Sequence, residues 1–293
     1  LRPIQTIRKG RNAMSDSQRA ACVIGYPAKH SRSPKLHGYW IKKHGLDADY
    51  RAEEIAPDHI EAFLSDLAGH GYVGANVTMP HKDVALAMSN PDARAQAVGA
   101  ANTLWLDDGR LLSTNTDIEG FLCALDAAAP GWDKRTNKAV VLGAGGAGRA
   151  VIYGLIERGI KTIHVVNRTL AKAEALRAQL GPAIEPAAWS DLARCLDGAD
   201  LLANTTSLGM HDQPPLDVDI SGLSDTAVVS DIVYVPLKTP LLTAAEARGL
   251  ATSNGLDMLL HQAVRGFELW FGVRPEVTQE LYDLLAADIE DAE

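Results

Sequence analysis

The run Ala139-Val140-Val141-Leu142 is apolar throughout, and Gly143-Ala144-Gly145-Gly146-Ala147-Gly148 follows it directly. Residues 147–158 then read as a helix. A G-x-G-x-x-G loop alone is a weak signal. Between a strand and a helix it confines the chain to an α/β unit built to hold a dinucleotide. Gly143 permits the tight turn, Gly145 lets the backbone approach a pyrophosphate, and Gly148 lets helix and strand pack closely. The opening helix presents free N–H groups and a partial positive charge to the phosphates. A merely structural glycine-rich turn is the bland alternative, and the agreement of strand, loop and helix argues against it.

The tip of the next strand selects the cofactor. Residues 162–167 read as a strand, which runs into Asn167-Arg168-Thr169. Chains that bind NAD usually place Asp or Glu there to accept from the ribose 2′-hydroxyl. A guanidinium instead binds a 2′-phosphate through charge-assisted hydrogen bonds, whereas a carboxylate repels it. NADP is therefore the expected cofactor. Lys172, one helical turn on, is either a second cation for that phosphate or a solvated surface charge.

Composition sets outer bounds. The chain has 293 residues, 46% hydrophobic and 22% charged, ordinary for one or two globular domains. The formal net charge of −9 argues against nucleic acid as a partner, so an anionic cofactor must be held by local positive features. No apolar run approaches the ~20 residues of a membrane span. Cys22, Cys123 and Cys195 are widely spaced without metal-ligand spacing, which points to a reduced cytoplasmic protein. His30, His37 and His81 lack supporting carboxylates or cysteines, so no metal is expected. Residues 1–14 form a basic leader without an apolar core, expected to be disordered rather than secretory.

Strand and helix patterns alternate along the chain. Ahead of the glycine loop, strands are expected at 20–25, 50–55 and 71–78, and helices at 33–43, 57–68 and 81–88. Ser33-Pro34 suits a helix start, with serine as N-cap. Residues 101–106 and 111–115 flank Asp107-Asp108-Gly109-Arg110, which has hairpin-turn chemistry, and a helix over 120–129 leads onward. Beyond the loop, a helix is expected at 170–180, strands at 201–204 and 228–231, and helices at 258–271 and 275–289. The expected class is α/β with two domains. Residues 15–117 plus 255–293 make a substrate domain, and 118–254 a Rossmann-type, doubly wound NADP domain to which the C-terminal helices do not belong.

A second polar patch comprises Asn76-Val77-Thr78-Met79-Pro80-His81-Lys82 and Asn115-Thr116-Asp117. Alone, Lys82 reads as a solvated helix-start lysine and Asp117 as an N-cap. Their company changes that. The chain also carries Gly25-Tyr26-Pro27, His30-Ser31-Arg32-Ser33-Pro34 and Gly99-Ala100-Ala101-Asn102-Thr103. Further on come Asn204-Thr205-Thr206-Ser207-Leu208-Gly209-Met210, Asp231-Ile232-Val233-Tyr234 and Gly255-Leu256-Asp257-Met258, the last leading to Gln262-Ala263. In this order, from about Val23 to Asp283, the series resembles the shikimate dehydrogenases of the shikimate/quinate dehydrogenase family.

The resemblance implies reversible reduction of 3-dehydroshikimate to shikimate with NADPH, on the route to aromatic amino acids. It implies Lys82 and Asp117 as an acid–base pair. Ser31 and Ser33 suit the substrate carboxylate; Asn76, Thr78, Asn102 and Gln262 suit its hydroxyls. Fixed polar partners of this kind reject an analogue that lacks a hydroxyl. Tyr234 is placed near the carboxylate, or is an ordinary half-buried tyrosine. Thr205, Ser207, Met210, Gly255 and Met258 join the glycine loop, Asn167, Arg168, Thr169 and Lys172 at the cofactor; Met210 also reads as core filler. Whether Lys82 is the base, or stays charged beside an alkoxide while Asp117 relays the proton, is left open. The chain departs from the family at Gly38, where an amide residue is usual, and at Ile118, where glycine is common. A quinate or aminoshikimate dehydrogenase and a non-catalytic sensor on the same fold are the rival readings. A monomer or homodimer is expected.

Overall fold

The computed structural model describes residues 19–291, so the expected disordered leader at 1–14 lies outside the described residues. The first part of the chain builds one six-stranded sheet. β1 (Arg19–Gly25), β2 (Ala48–Glu54) and β3 (Tyr72–Val77) run parallel, linked by α1 (Ser33–Lys43) and α2 (Ile60–Ser65). Next come α3 (Lys82–Ala87), the short β4 (Asn90–Pro91) and α4 (Ala93–Val98). The antiparallel hairpin of β5 (Thr103–Asp107) and β6 (Arg110–Thr114) completes the order β2-β1-β3-β5-β6-β4. The hairpin turns at Asp108 and Gly109, with φ of 48° and 74°, where Asp-Gly tolerates the left-handed region that such a turn requires. Side chains on β1 alternate between two cores. Ala21 and Val23 face the aromatic cluster of α1 and the C-terminal helices, while Ala20, Cys22 and Ile24 face α2.

α5 (Asp117–Ala128) and α6 (Trp132–Arg135) carry the chain to a second sheet. Here β7 (Lys138–Leu142), α7 (Gly146–Glu157), β8 (Thr162–Asn167), α8 (Leu170–Leu180) and β9 (Ile184–Ala188) form one wing. After α9 (Leu192–Leu196), the other wing comprises β10 (Leu201–Asn204), β11 (Val228–Asp231), α10 (Pro240–Ala247) and β12 (Ala251–Ser253). The order is β12-β11-β10-β7-β8-β9, and every pairing is parallel. The order in which the chain adds strands reverses between β7 and β10, so a crevice opens at their carboxyl ends, the position at which such sheets bind ligands.

α11 (Gly255–Phe271) and α12 (Gln279–Glu290) close the chain. Leu256, Leu260, Ala263, Phe267, Trp270 and Phe271 of α11 pack with Val23, Leu36 and Trp40, while Met258 joins the core of the second sheet. Each fully buried large apolar side chain contributes about 1.5–3 kcal/mol, so this helix is fixed against both sheets. No helix among the described residues is long and apolar enough to cross a membrane.

Several elements differ from expectation. Arg32, not Ser33, occupies the N-cap of α1, and Ser33 and Pro34 sit in the first turn. α2 starts later than expected, with His59 as its N-cap. β4, α4, α6, β9, α9, α10 and β12 are not among the expected elements. β9 contains Pro186 and pairs only with β8, the edge position where proline is tolerated. α4 has no long apolar stripe; it is defined by its ends, Asp92 accepting from Ala95 N at 2.8 Å and Gly99 at φ 70°.

Candidate active site

β3 delivers its carboxyl end to a loop that leads into α3, and Lys82 is the first residue of that helix. His81 before it is buried, with Nε2 2.7 Å from the Ile55 carbonyl oxygen, which anchors the loop. Asp117 is the first residue of α5, with Thr116 in the N-cap position but making no side-chain capping bond. The two meet: Lys82 Nζ donates to Asp117 Oδ2 at 2.5 Å, and their side chains are 19% and 11% exposed. The other carboxylate oxygen accepts from Asn102 Nδ2 at 2.7 Å. Asn102 is itself fixed, its Oδ1 accepting from Thr116 N at 2.7 Å. Asp117 therefore holds a proton donor on each oxygen, while Lys82 keeps two N–H groups free of Asp117.

These residues line a cleft of about 470 Å³ between the two sheets. Ser31, Ser33, Asn76, Thr78, Lys82, Asn102, Asp117, Tyr234 and Gln262 all reach it. So do Ala147, Met210, Gly255 and Met258 from the expected cofactor set. Their availability differs. Asn76 is held at both ends, with one lone pair of its oxygen left over: Oδ1 accepts from Tyr50 OH at 2.7 Å, and Nδ2 donates to Thr103 Oγ1 at 3.2 Å and Asn102 O at 3.4 Å. Both amide protons are used, so Asn76 supports the wall and has no free donor for a hydroxyl. Gln262 Nε2 donates to Leu259 O at 3.1 Å, and Oε1 keeps only a long 3.4 Å contact with Thr116 Oγ1. Ser31 Oγ accepts from Ser33 N at 3.3 Å.

Burial raises the Tyr234 phenol above its ordinary range, and the Arg32 charge pulls it back. Arg32 is held by Asp288 of α12, Nε to Oδ2 at 3.0 Å. That guanidinium does not line the cleft and is not among the expected site residues. Its position in the Ser31-Arg32-Ser33 run was the available signal.

The glycine loop lies across the cleft. Gly143 has φ 103°, and a Cβ on Gly148 would stand 2.6 Å from the Gly143 carbonyl oxygen. Added Cβ atoms on Gly145 and Gly146 meet nothing within 4 Å, so the space above them is open. Asn167 braces the loop, Oδ1 accepting from Ala144 N at 3.2 Å and Nδ2 donating to Thr169 O at 2.8 Å. Thr205 Oγ1 donates to Leu142 O at 2.7 Å. Both side chains hold the loop through these bonds. Arg168 and Ser207, just beyond the adjoining strands, and Lys172, in the first turn of α8, are exposed. A backbone cradle at a helix start, open above its middle glycines and flanked by an unpaired guanidinium, fits a dinucleotide with a 2′-phosphate.

Asp231, at the end of β11, is fully buried and holds three donors: Asn204 Nδ2 at 2.9 Å, Val233 N at 3.1 Å and Thr239 Oγ1 at 2.7 Å. Burial raises its carboxyl despite those bonds. It ties together the loops that carry Met210 and Tyr234. At the two departures from the family pattern, Gly38 has open space around it, and Ile118 is fully buried against Gly154.

A doubly wound parallel sheet with this loop, facing a second α/β sheet that contributes a half-buried lysine–aspartate pair, defines a two-domain dehydrogenase of the Rossmann type. The sequence matches three family models: the shikimate dehydrogenase substrate binding domain over residues 23–104, shikimate / quinate 5-dehydrogenase over 127–211, and the shikimate 5′-dehydrogenase C-terminal domain over 255–279. A shikimate dehydrogenase (NADP(+)) of Nitrobacter hamburgensis is 61% identical over 271 residues, covering 92% of this chain and 95% of its own. The chain belongs to the shikimate dehydrogenase family. Shikimate 5-dehydrogenase of Thermus thermophilus, solved with NADP(H) and shikimate, superposes with a TM-score of 0.81 at 34% identity, covering 92% of this chain and 99% of its own. Quinate dehydrogenase of Corynebacterium glutamicum, solved with NAD, superposes with a TM-score of 0.84 at 29% identity, covering 92% and 99%.

Proposed function

We propose that the protein is an NADP-dependent shikimate dehydrogenase that reversibly reduces 3-dehydroshikimate to shikimate. The observation that carries this reading is the Lys82–Asp117 pair in a cleft shared with the glycine loop. Bound NADPH supplies the hydride. This chain's residues manage the proton and the orientation. Lys82 has N–H groups to offer the substrate oxygen as it gains negative charge, and Asp117 stabilises the ammonium and relays the proton. In the oxidative direction the same pair takes up the hydroxyl proton. The two groups act as one coupled unit.

Ser31 and Ser33 hold the ring carboxylate, with Tyr234 and the Arg32 charge beside them. Thr78, Asn102 and Gln262 face the hydroxyls, and Asn76 acts behind them. Gly143 to Ala147 cradle the pyrophosphate, Arg168 with Lys172 binds the 2′-phosphate, and Met210, Gly255 and Met258 border the nicotinamide. The domain division at 15–117 with 255–293 against 118–254 is supported by the cores: Ile118, Phe121 and Leu125 pack with β7 and α7, while Leu260 and Phe267 pack with α1. We assign the protein to the cytoplasm, where buried thiols such as Cys22 and Cys195 stay reduced, and to a monomer or homodimer, which sedimentation separates.

The test is NADPH formation by purified protein with shikimate or quinate, each offered with NADP or NAD. Turnover with shikimate and NADP alone supports the whole reading. A preference for quinate or NAD would keep the acid–base pair and overturn the specificity. No turnover with any pair would favour a sensor.

A further inference from the structure

Tyr50 lies on β2, behind the cleft wall and outside its lining. It is 6% exposed, and His37, fully buried, stacks on its ring at 4.0 Å. Burial pushes its phenol well up, Cys22 adds to this, and a hydrogen bond with Ser33 opposes it, so the group stays a neutral donor. Its hydroxyl donates to Asn76 Oδ1 at 2.7 Å. From there a path of buried hydrogen bonds runs in one direction. Asn76 Nδ2 donates to Thr103 Oγ1 at 3.2 Å, Thr103 Oγ1 to Asn102 Oδ1 at 3.1 Å, and Asn102 Nδ2 to Asp117 Oδ1 at 2.7 Å. Serial bonds of one sense polarise each other, and in a buried setting that strengthens the last of them.

The polarity of the path depends on which way the Asn76 amide faces. With Oδ1 towards Tyr50, its Nδ2 donates to Thr103, and the Thr103 hydrogen is left for Asn102. With the amide turned over, Thr103 would have to donate back to Asn76 instead of to Asn102 Oδ1, and the Asn76 oxygen would face the Asn102 carbonyl that now accepts from Nδ2 at 3.4 Å, so Tyr50 and that carbonyl set the amide together. We propose, resting on the dehydrogenase reading above, that Tyr50 is a positioning residue for the acid–base pair: its hydroxyl orients the Asn76 amide and so directs the Asn76–Thr103–Asn102 path onto Asp117.

The experiment compares full-length wild type, Tyr50→Phe, Thr103→Val and the double variant. It reads kcat, KM for both reactants, the pH dependence of kcat, and Tm. Tyr50→Phe keeps the ring and its stacking while removing the hydroxyl. It is expected to lower kcat about ten-fold, the worth of one buried hydrogen bond, with KM for NADP unchanged. The acid limb of the kcat profile moves to higher pH, because a donor to the carboxylate is weakened. Thr103→Val produces the same shift, and the double variant is no worse than the worse single, as expected for one path. A Tyr50→Phe protein with lowered Tm but unchanged kcat and pH profile overturns the inference. If Tyr50→Phe does not fold, Thr103→Val decides alone, and an unchanged acid limb there overturns it equally. Wild type without turnover of shikimate would instead overturn the functional reading beneath it.

Discussion

The two halves of the cleft are finished to different degrees. Around the Lys82–Asp117 pair several polar groups already hold partners within the fold. Asn76, Asn102 and Asp117 are buried, and each is held by at least two hydrogen bonds. On the cofactor side Arg168 and Lys172 are exposed and carry no partner among the described residues, and the middle of the glycine loop faces open space. The difference follows from the ligands. A ring distinguished by its hydroxyl pattern is read by partners fixed in advance. A phosphate is held by backbone N–H groups and by charge, which tolerate loose side chains.

The largest expected effect lies on the substrate side. Lys82→Ala should lower kcat by roughly 10²- to 10⁴-fold, the range of positioned acid–base catalysis, with KM for NADP near wild type. A loss confined to KM would make Lys82 a binding residue only and break the contrast. On the cofactor side, Arg168→Ser should raise KM for NADP by about 10- to 100-fold, the worth of a charge-assisted hydrogen bond. Activity with NAD should be unchanged, and added salt should shrink the difference, because the site is exposed. If NAD and NADP suffer alike, Arg168 shapes the loop and does not read the 2′-phosphate.

The same contrast governs what could be read from the sequence. β8, α8, β10 and β11 match their expected ranges, because short apolar stretches for the strands and a Gly181 stop for the helix mark their ends. Tertiary context decided the misses. β12 is three residues long and exists only as a partner of β11, and α4 is a short helix made by its caps. In the site, the motif residues were visible by type and order, and the structure brings them to one cleft. Their hydrogen-bond partners were not visible. That Asn76 is committed to Tyr50 and Thr103 depends on strands far apart in sequence. Arg32 shows the same limit, since its holder, Asp288, sits on the last helix.

Fixing the substrate wall in advance has a cost, and His37 carries part of it. Neither ring nitrogen has a partner in hydrogen-bond geometry among the described residues, and the side chain is fully buried. Burial lowers its pKa from 6.5 to about 3, with the Asn76 amide opposing. The sign is set by the unfolded chain, which takes up a proton below pH 6.5 while the folded protein does not until about pH 3. Stability therefore falls as pH descends through that window, by about 2 kcal/mol between pH 7 and pH 5 from this group. His37→Leu should show a shallower fall over the same range in urea denaturation. Parallel curves for the two proteins would mean that other groups carry the acid sensitivity.

The smallest effect separates the two roles within the glycine loop itself. Gly145 has φ −83°, which any residue adopts, and an added Cβ meets nothing. Its lack of a side chain serves nothing inside the protein, so Gly145→Ala should leave stability unchanged or raise it by about 0.4–1 kcal/mol through the unfolded chain. On the proposed reading the same methyl enters the space kept for the pyrophosphate, so KM for NADP should rise several-fold. Gly148→Ala should behave in the opposite way. Its Cβ would press on Gly143 O at 2.6 Å and Thr205 Oγ1 at 2.9 Å, inside the fold. The expected result is a loss of about 1–3 kcal/mol of stability. A Gly145→Ala protein that binds NADP normally would mean that the cofactor passes over the loop at a distance, and the open space above Gly145 would then need another occupant.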